Sequence, residues 1–282
     1  MADLTDNTRV WMITGASRGL GAALAQSVLE HGERVVLTAR DASAVAELAG
    51  RHPDRALALA LDVNDGDQVR DAVEQAVGAF GRIDVLVNNA GYGYLGGLEE
   101  LSEADLRAQF ETNLFGAVNV TRAVLPHFRE RRGGHIVQMS SLSGVVPNPG
   151  EGAYAASKFA LEGLSESLAQ EVAHLGIRVT IVEPGPVRTE FAGRSLARAE
   201  PIEDYAESVG QVREVLAQLD GAQPNDPARV AEAIISVTRE EEPPLRLPLG
   251  EEAFAQIRQR LAERGAELDR VEALGNATAF AK

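Results

Sequence analysis

The chain has 282 residues, 45% of them hydrophobic, with a formal net charge of -15 and no cysteine. That size fits one large α/β domain or two small ones with a substantial core. The acidity excludes a nucleic-acid footprint, because no basic stripe would neutralise phosphates; the lack of cysteine excludes disulfides and thiol nucleophiles and suits a cytoplasmic protein.

The start, Met1 to Asn7, has neither the basic nor the apolar region of a secretory signal. Short apolar runs then alternate with helical stretches, the pattern of βαβ units around a parallel sheet. A strand at 9–14 leads into a helix at 19–31, a strand at 34–38 into a helix at 41–51, and a strand at 56–61 into a helix at 65–80. A fourth strand follows at 83–87. The stretch 102–131 is mostly helical, with Ser102 and Asp105 as its N-terminal signal. A strand at 135–140 precedes a helix at 153–175 that closes at Gly176. The sixth strand, 177–183, ends at Pro184-Gly185-Pro186, and a seventh is predicted at 245–249. Residues 187–244 are long for a connection and are expected to form a helical substrate lid or an inserted helical pair. A C-terminal amphipathic helix at 251–269 and a loose last dozen residues complete the segment 250–282. No repeat or linker is visible, so a single domain over 1–282 is expected. No stretch approaches the roughly 18 uncharged apolar residues of a membrane span. The five histidines are scattered, so no metal site is expected.

Gly15-Ala-Ser-Arg-Gly19-Leu-Gly21 lies between the first strand and the first helix. There Gly15 permits a tight turn, Gly19 a close backbone approach to a pyrophosphate, and Gly21 close helix–strand packing. At the end of the second strand, where a carboxylate would hold the 2′-OH of NAD, stands Ala39, followed by Arg40. With Arg18 in the glycine turn, two guanidinium groups are available to grip a 2′-phosphate. This points to NADP, with NAD possible if Arg40 merely caps the strand and Asp41 takes the ribose. Tyr154 and Lys158 lie one turn apart on one helix face. A nearby ammonium favours the phenolate, so a tyrosine so placed is a candidate acid–base group. Of Ser140 and Ser141, on opposite faces of a strand, one can polarise a carbonyl.

The glycine spacing, the sequence Asn88-Asn89-Ala90-Gly91 after the fourth strand, and the pair Tyr154 and Lys158 with Ser141 upstream resemble the short-chain dehydrogenase/reductase family from about 9 to 189. The resemblance is to its non-extended branch, nearest the 17β-hydroxysteroid and retinol dehydrogenase-like carbonyl reductases. It implies a doubly wound Rossmann sheet of about seven parallel strands. It implies Asn113, Ser141, Tyr154 and Lys158 as catalytic residues, with Asn113 bending its helix and holding a water; an asparagine there is otherwise an ordinary packing residue. It implies a cofactor site formed by Gly15, Ser17, Arg18, Gly19, Leu20, Arg40, Asp62, Val63, Asn89, Ala90, Gly91, Tyr154, Lys158, Pro184, Gly185, Val187 and Thr189. Within that set Asp62 touches the adenine, while Val187 and Thr189 bind the carboxamide. It also implies a homodimer or homotetramer through the helices at 102–131 and 153–175.

For the substrate, Tyr92, Tyr94, Leu95, Ser143, the run Val145 to Pro147, Phe191 and Leu196 are candidate walls. They suggest a hydrophobic ketone or secondary alcohol. Arg188 and Arg194 would clamp an anionic substrate only if turned inward. The expected activity is NADP(H)-dependent carbonyl reduction. An epimerase or dehydratase on the same scaffold would need a different glycine spacing. A non-catalytic NADP sensor would be expected to lack one of the active residues.

Overall fold

A computed structural model of the chain describes residues 8–280 except Ala192 and Arg194. In chain order its elements are β1 (Val10–Ile13), α1 (Gly19–Glu30), β2 (Arg34–Ala39), α2 (Ser43–Arg51), β3 (Ala56–Ala60), α3 (Gly66–Phe80), β4 (Val85–Asn88) and β5 (Gly93–Leu95). Then come α4 (Glu103–Phe110), a π-helical turn (Glu111–Gly116), α5 (Ala117–Arg131), β6 (Gly134–Met139), α6 (Gly152–Val172) and β7 (Ile177–Pro184). The last are β8 (Leu196–Arg198), α7 (Gln211–Leu219), α8 (Pro227–Val237), β9 (Arg246–Leu249) and α9 (Glu251–Asn276).

The main sheet has seven strands in the order β3-β2-β1-β4-β6-β7-β9, every pair parallel. The predicted Rossmann architecture is therefore present, with its crossover point between β1 and β4. Strand alternation sends Trp11, Ile13, Val35, Leu37 and Val87 to one face, where they pack on Leu24 and Val28 of α1 and on Val230, Ile234 and Ile235 of α8. Met12, Val36 and Leu86 face the other way, against Val69 and Val73 of α3, Val120, Val124 and Phe128 of α5, and Leu168 and Val172 of α6. Both faces are covered, as a parallel sheet requires.

Three features depart from the sequence expectations. The stretch 187–244 divides: its first part stands over the strand ends, whereas α8 is a sheet-covering helix whose apolar spacing buries it against α1. A small parallel sheet pairs β5 with β8 through Gly93–Leu196, Tyr94–Ala197 and Leu95–Arg198. The C-terminal helix runs to Asn276, past Asp269, so half of the expected loose tail is helical. Glu, Gln, Arg, Leu and Ala, good helix formers, dominate that stretch and carry it on without burial.

Candidate active site

The first half of the site is built where β1 and β4 end. The buried Thr14 hydroxyl accepts from the amides of Asn89 (2.9 Å) and Ala90 (3.0 Å), and Asn89 Nδ2 donates to the carbonyls of Thr14 (2.8 Å) and Gly15 (3.0 Å). The two turns are thereby stapled together. Gly15 needs its left-handed φ of +65°, and a Cβ there would stand 2.9 Å from the Ala90 backbone. At Gly21 a Cβ would meet the Gly15 carbonyl at 2.5 Å. Helix α1 opens at Gly19 with no side-chain cap from Arg18, so its first N–H groups and positive dipole end face the cavity without a protein partner side chain.

A cavity of about 1410 Å³ runs from this turn across the strand ends. Of the expected cofactor residues, Gly15, Ser17, Arg18, Gly19, Leu20, Arg40, Asp62 and Val63 line it. Asn89, Ala90, Gly91, Pro184, Gly185, Val187 and Thr189 line it as well. Arg18 and Arg40 are both exposed. Asp41, the alternative ribose ligand, is absent from the lining; its carboxylate accepts from Ser43 N at 2.9 Å and is held below the usual carboxylate range by Ser43. The fit of a dinucleotide to this half rests on the uncapped helix start and on the glycine turn that leaves its approach open.

The chemical half lies on α6 and the end of β6. Tyr154, Lys158 and Ser141 all line the cavity. Lys158 is 6% exposed; its Nζ donates to the Met139 carbonyl at 2.6 Å and lies 5.7 Å from the centre of the Tyr154 ring. Ser141 lies beside Tyr154 on the cavity wall, and its Oγ accepts from Ser143 N at 3.1 Å. Ser140 turns the other way and donates to Glu162, as strand alternation predicts. Burial pushes the Tyr154 phenol well above its ordinary range; the Ser141 hydrogen bond opposes that rise and Glu151 adds to it. Burial pulls Lys158 down to about 8, with Glu162 acting against the fall. In the protein alone, desolvation thus outweighs the depression of the tyrosine expected from the lysine.

Asn113 does not reach the cavity. It is 1% exposed in the π-helical turn, with Nδ2 donating to Tyr92 O (2.9 Å) and Ser157 Oγ (3.1 Å) and Oδ1 accepting from Tyr92 N (3.1 Å). Ser157 in turn donates to the Tyr154 carbonyl at 2.7 Å. Asn113 therefore braces the loop after β4 and the start of α6.

At the substrate end, Tyr92, Ser143, Phe191 and Leu196 line the cavity. Phe191 packs against Tyr154 with ring centres 5.6 Å apart. Tyr94, Leu95, Val145 and Pro147 are not among the lining residues. Leu95 and Val145 are buried in the fold, and Tyr94 lies near Asp105, which pushes its phenol up. Arg188 turns away and donates to the Gln223 carbonyl at 3.0 Å; Arg194 lies outside the described residues. Sequence reasoning expected helix in this segment but named none of the α7 residues Val212, Val215, Leu216 and Leu219, nor Glu151, Glu190 and Glu207, that line the cavity. The spacing of those four apolar residues was a readable signal; the glutamates had none.

A sequence profile described as short chain dehydrogenase matches residues 9–200. The oxidoreductase BOA17 of Botryotinia fuckeliana (strain B05.10) is 43% identical over 247 residues, 87% of this chain and 90% of that protein. A short-chain dehydrogenase from Streptomyces avermitilis has a crystal structure that superposes with a TM-score of 0.91 at 43% identity, covering 96% of this chain and 100% of that one. A short-chain dehydrogenase/reductase from Burkholderia phymatum, solved with NAD, superposes at 0.81 with 26% identity over 92% of this chain and 95% of its own. An alcohol dehydrogenase from Thermococcus sibiricus, solved with 5-hydroxy-NADP, superposes at 0.72 with 26% identity over 86% and 96%.

Proposed function

The chain belongs to the short-chain dehydrogenase/reductase family and is an oxidoreductase, and from that premise we propose that it is an NADP(H)-dependent carbonyl reductase acting on hydrophobic ketones and their secondary alcohols. The observation that carries this reading is the convergence of Ser141, Tyr154 and buried Lys158 on the wall of one cavity that begins at the uncapped start of α1.

The bound nicotinamide supplies or takes the hydride. Tyr154 gives its proton to the carbonyl oxygen in reduction and receives it in oxidation. Its raised pKa keeps it a phenol until Lys158 and a cationic ring favour the phenolate. Ser141 holds the substrate oxygen. Thr189 and the Val187 backbone orient the carboxamide, and Asp62 meets the adenine. Arg18 and Arg40 favour a 2′-phosphate, and Asp41, engaged with Ser43, is not among the lining residues, so β2 ends at the cavity in Ala39 and Arg40. Asn113, Ser141, Tyr154 and Lys158 are all present, which argues against a non-catalytic sensor.

The wall under α7 is apolar, and among the described lining residues its charged members are glutamates. That end suits a neutral substrate and repels a carboxylate or phosphate. The helices α5 and α6 form the dimer face in this reading, which sedimentation as a clean monomer would exclude.

Loss of reduced-cofactor absorbance is measured with NADPH and NADH in parallel over aryl, aliphatic and steroid ketones and one keto acid. Turnover with NADPH on a neutral ketone supports the reading. NADH preference overturns the phosphate argument and keeps the enzyme class; preference for the keto acid overturns the substrate class. Removing Arg18 or Arg40 as alanine raises the NADPH KM about tenfold or more, since each charge-assisted bond contributes about 1.5–3 kcal/mol, and changes the NADH KM little.

A further inference from the structure

Behind Lys158 lies a second group of charges that the hydride-transfer chemistry does not use. Glu162 stands one helical turn after Lys158 on α6 and is 3% exposed. Its Oε1 accepts from the Ser140 hydroxyl and its Oε2 from Arg246 Nη1. The same Nη1 donates to Oε1 of Glu183, which is 1% exposed. Arg246 Nη2 reaches out to Glu166 at 2.6 Å, and that side chain is 48% exposed. These are the charged partners facing Glu162: Glu183 from β7, Arg246 from β9, and Lys158 and Glu166 from α6, with the Ser140 hydroxyl at the end of β6.

The charges decide what the group is for. Arg246 needs one buried carboxylate to balance it, yet Glu162 and Glu183 both point at it. A surplus buried carboxylate is costly unless a second cation answers it. Lys158 is that cation: Glu162 acts to raise its pKa. Backbone geometry joins the two, because Lys158 holds the carbonyl of Met139 and the next residue, Ser140, holds Glu162.

We propose that Glu162 is a positioning residue for Lys158, its carboxylate keeping the lysine an ammonium while Tyr154 exchanges its proton, with Arg246 fixing that carboxylate in place. The catalytic part of this rests on the reductase reading; the electrostatic pairing does not. Burial brings Lys158 down to about 8 and pushes Glu162 up to about 7, so each titrates close to the other near neutrality. Ser140 and Arg246 pull Glu162 down, and Glu183 pushes it up. Without the Glu162 charge, desolvation acts on Lys158 unopposed and its pKa falls further.

The chain contains two lysines, Lys158 and Lys282. In a Lys282→Arg protein labelled with carbon-13 at the lysine ε position, one resonance therefore follows Lys158 through a pH titration. In that background Glu162→Gln lowers the midpoint by about one unit. Arg246→Met, which lets Glu162 take up a proton, lowers it in the same sense and serves as the second variant should the first fold poorly. Glu166→Gln removes a bond to the same guanidinium at the surface and leaves the midpoint within about 0.2 unit. An unchanged midpoint in Glu162→Gln overturns the proposal, whatever happens to its thermal stability.

The pH profile of alcohol oxidation is read beside it. Glu162→Gln moves the rise toward the phenolate form up by about one unit, a loss of about tenfold in kcat/KM below it, with the cofactor KM unchanged. A profile that stays put while the lysine midpoint moves overturns the catalytic part. A wild-type protein that oxidises no alcohol overturns the reductase reading, and the titration still decides the pairing.

Discussion

Tyr154 and His135 are both buried titratable side chains, and burial disfavours the charged form of each, so their pKa values move in opposite directions. For Tyr154 the consequence is chemical. Tyr154→Phe removes the proton donor and leaves the ring packed on Phe191; a loss of about 10²–10⁴-fold in kcat is expected, with cofactor binding by fluorescence titration intact. For His135 the consequence is stability. Its Nε2 lies 2.9 Å from the Thr180 hydroxyl, which itself donates to the Pro244 carbonyl at 3.0 Å, so the ring donates from Nε2. Burial, with Arg178 and Arg9 adding, lowers its pKa to about 4. A depressed histidine binds fewer protons folded than unfolded, so stability is full above the unfolded pKa of about 6.5 and falls as pH drops toward 4, by about 3 kcal/mol in all. Urea midpoints across that window should show the fall, and His135→Gln should flatten it. At this scale much was legible. Strand alternation set Ser140 and Ser141 on opposite faces, and the family resemblance chose Ser141. The bonds of Asn113 to Tyr92 and Ser157 were not legible, because they join residues far apart in the chain.

At the scale of elements, the predicted helix at 102–131 is present but interrupted. It starts with a complete capping box, in which Ser102 Oγ accepts from Asp105 N at 3.1 Å and Asp105 accepts from Ser102 N at 3.1 Å. Ser102→Ala should cost about 1 kcal/mol in thermal or urea unfolding without changing any KM. The π-helical turn at 111–116 that follows carries Asn113 inward, and no local propensity announces such a turn. The small β5–β8 sheet was missed because three-residue strands leave no periodicity to read. Helix α8 had both signals, Asp226 with Pro227 at its start and a clear apolar stripe. The sequence could not say whether that stripe faced a lid or the sheet, because periodicity names a buried face and not its partner.

For the whole molecule, a parallel sheet followed from the alternation of elements and the doubly wound seven-strand arrangement from the family resemblance, whereas the strand order was read only from the structure. The far end of α9 does not follow from them. Leu268 and Leu274 are 68% and 76% exposed, and among the described residues of α9 only Ala253 is buried. Deleting residues 266–282 should therefore change the melting temperature by less than about 2 °C in a monomer. A larger fall, dependent on protein concentration, would place that helix in an interface between copies.

The β5–β8 pairing fastens the segment that lines the cavity at Phe191 and Leu196 to the loop that leaves β4. In the reductase reading a ketone between Phe191 and Leu216 covers a dinucleotide lying against Gly15 and Thr189. In steady-state terms this predicts compulsory order: the dinucleotide is first on and last off. Oxidised cofactor should then compete with reduced cofactor and act noncompetitively against the ketone. High ketone concentrations should slow turnover by trapping the spent cofactor beneath them.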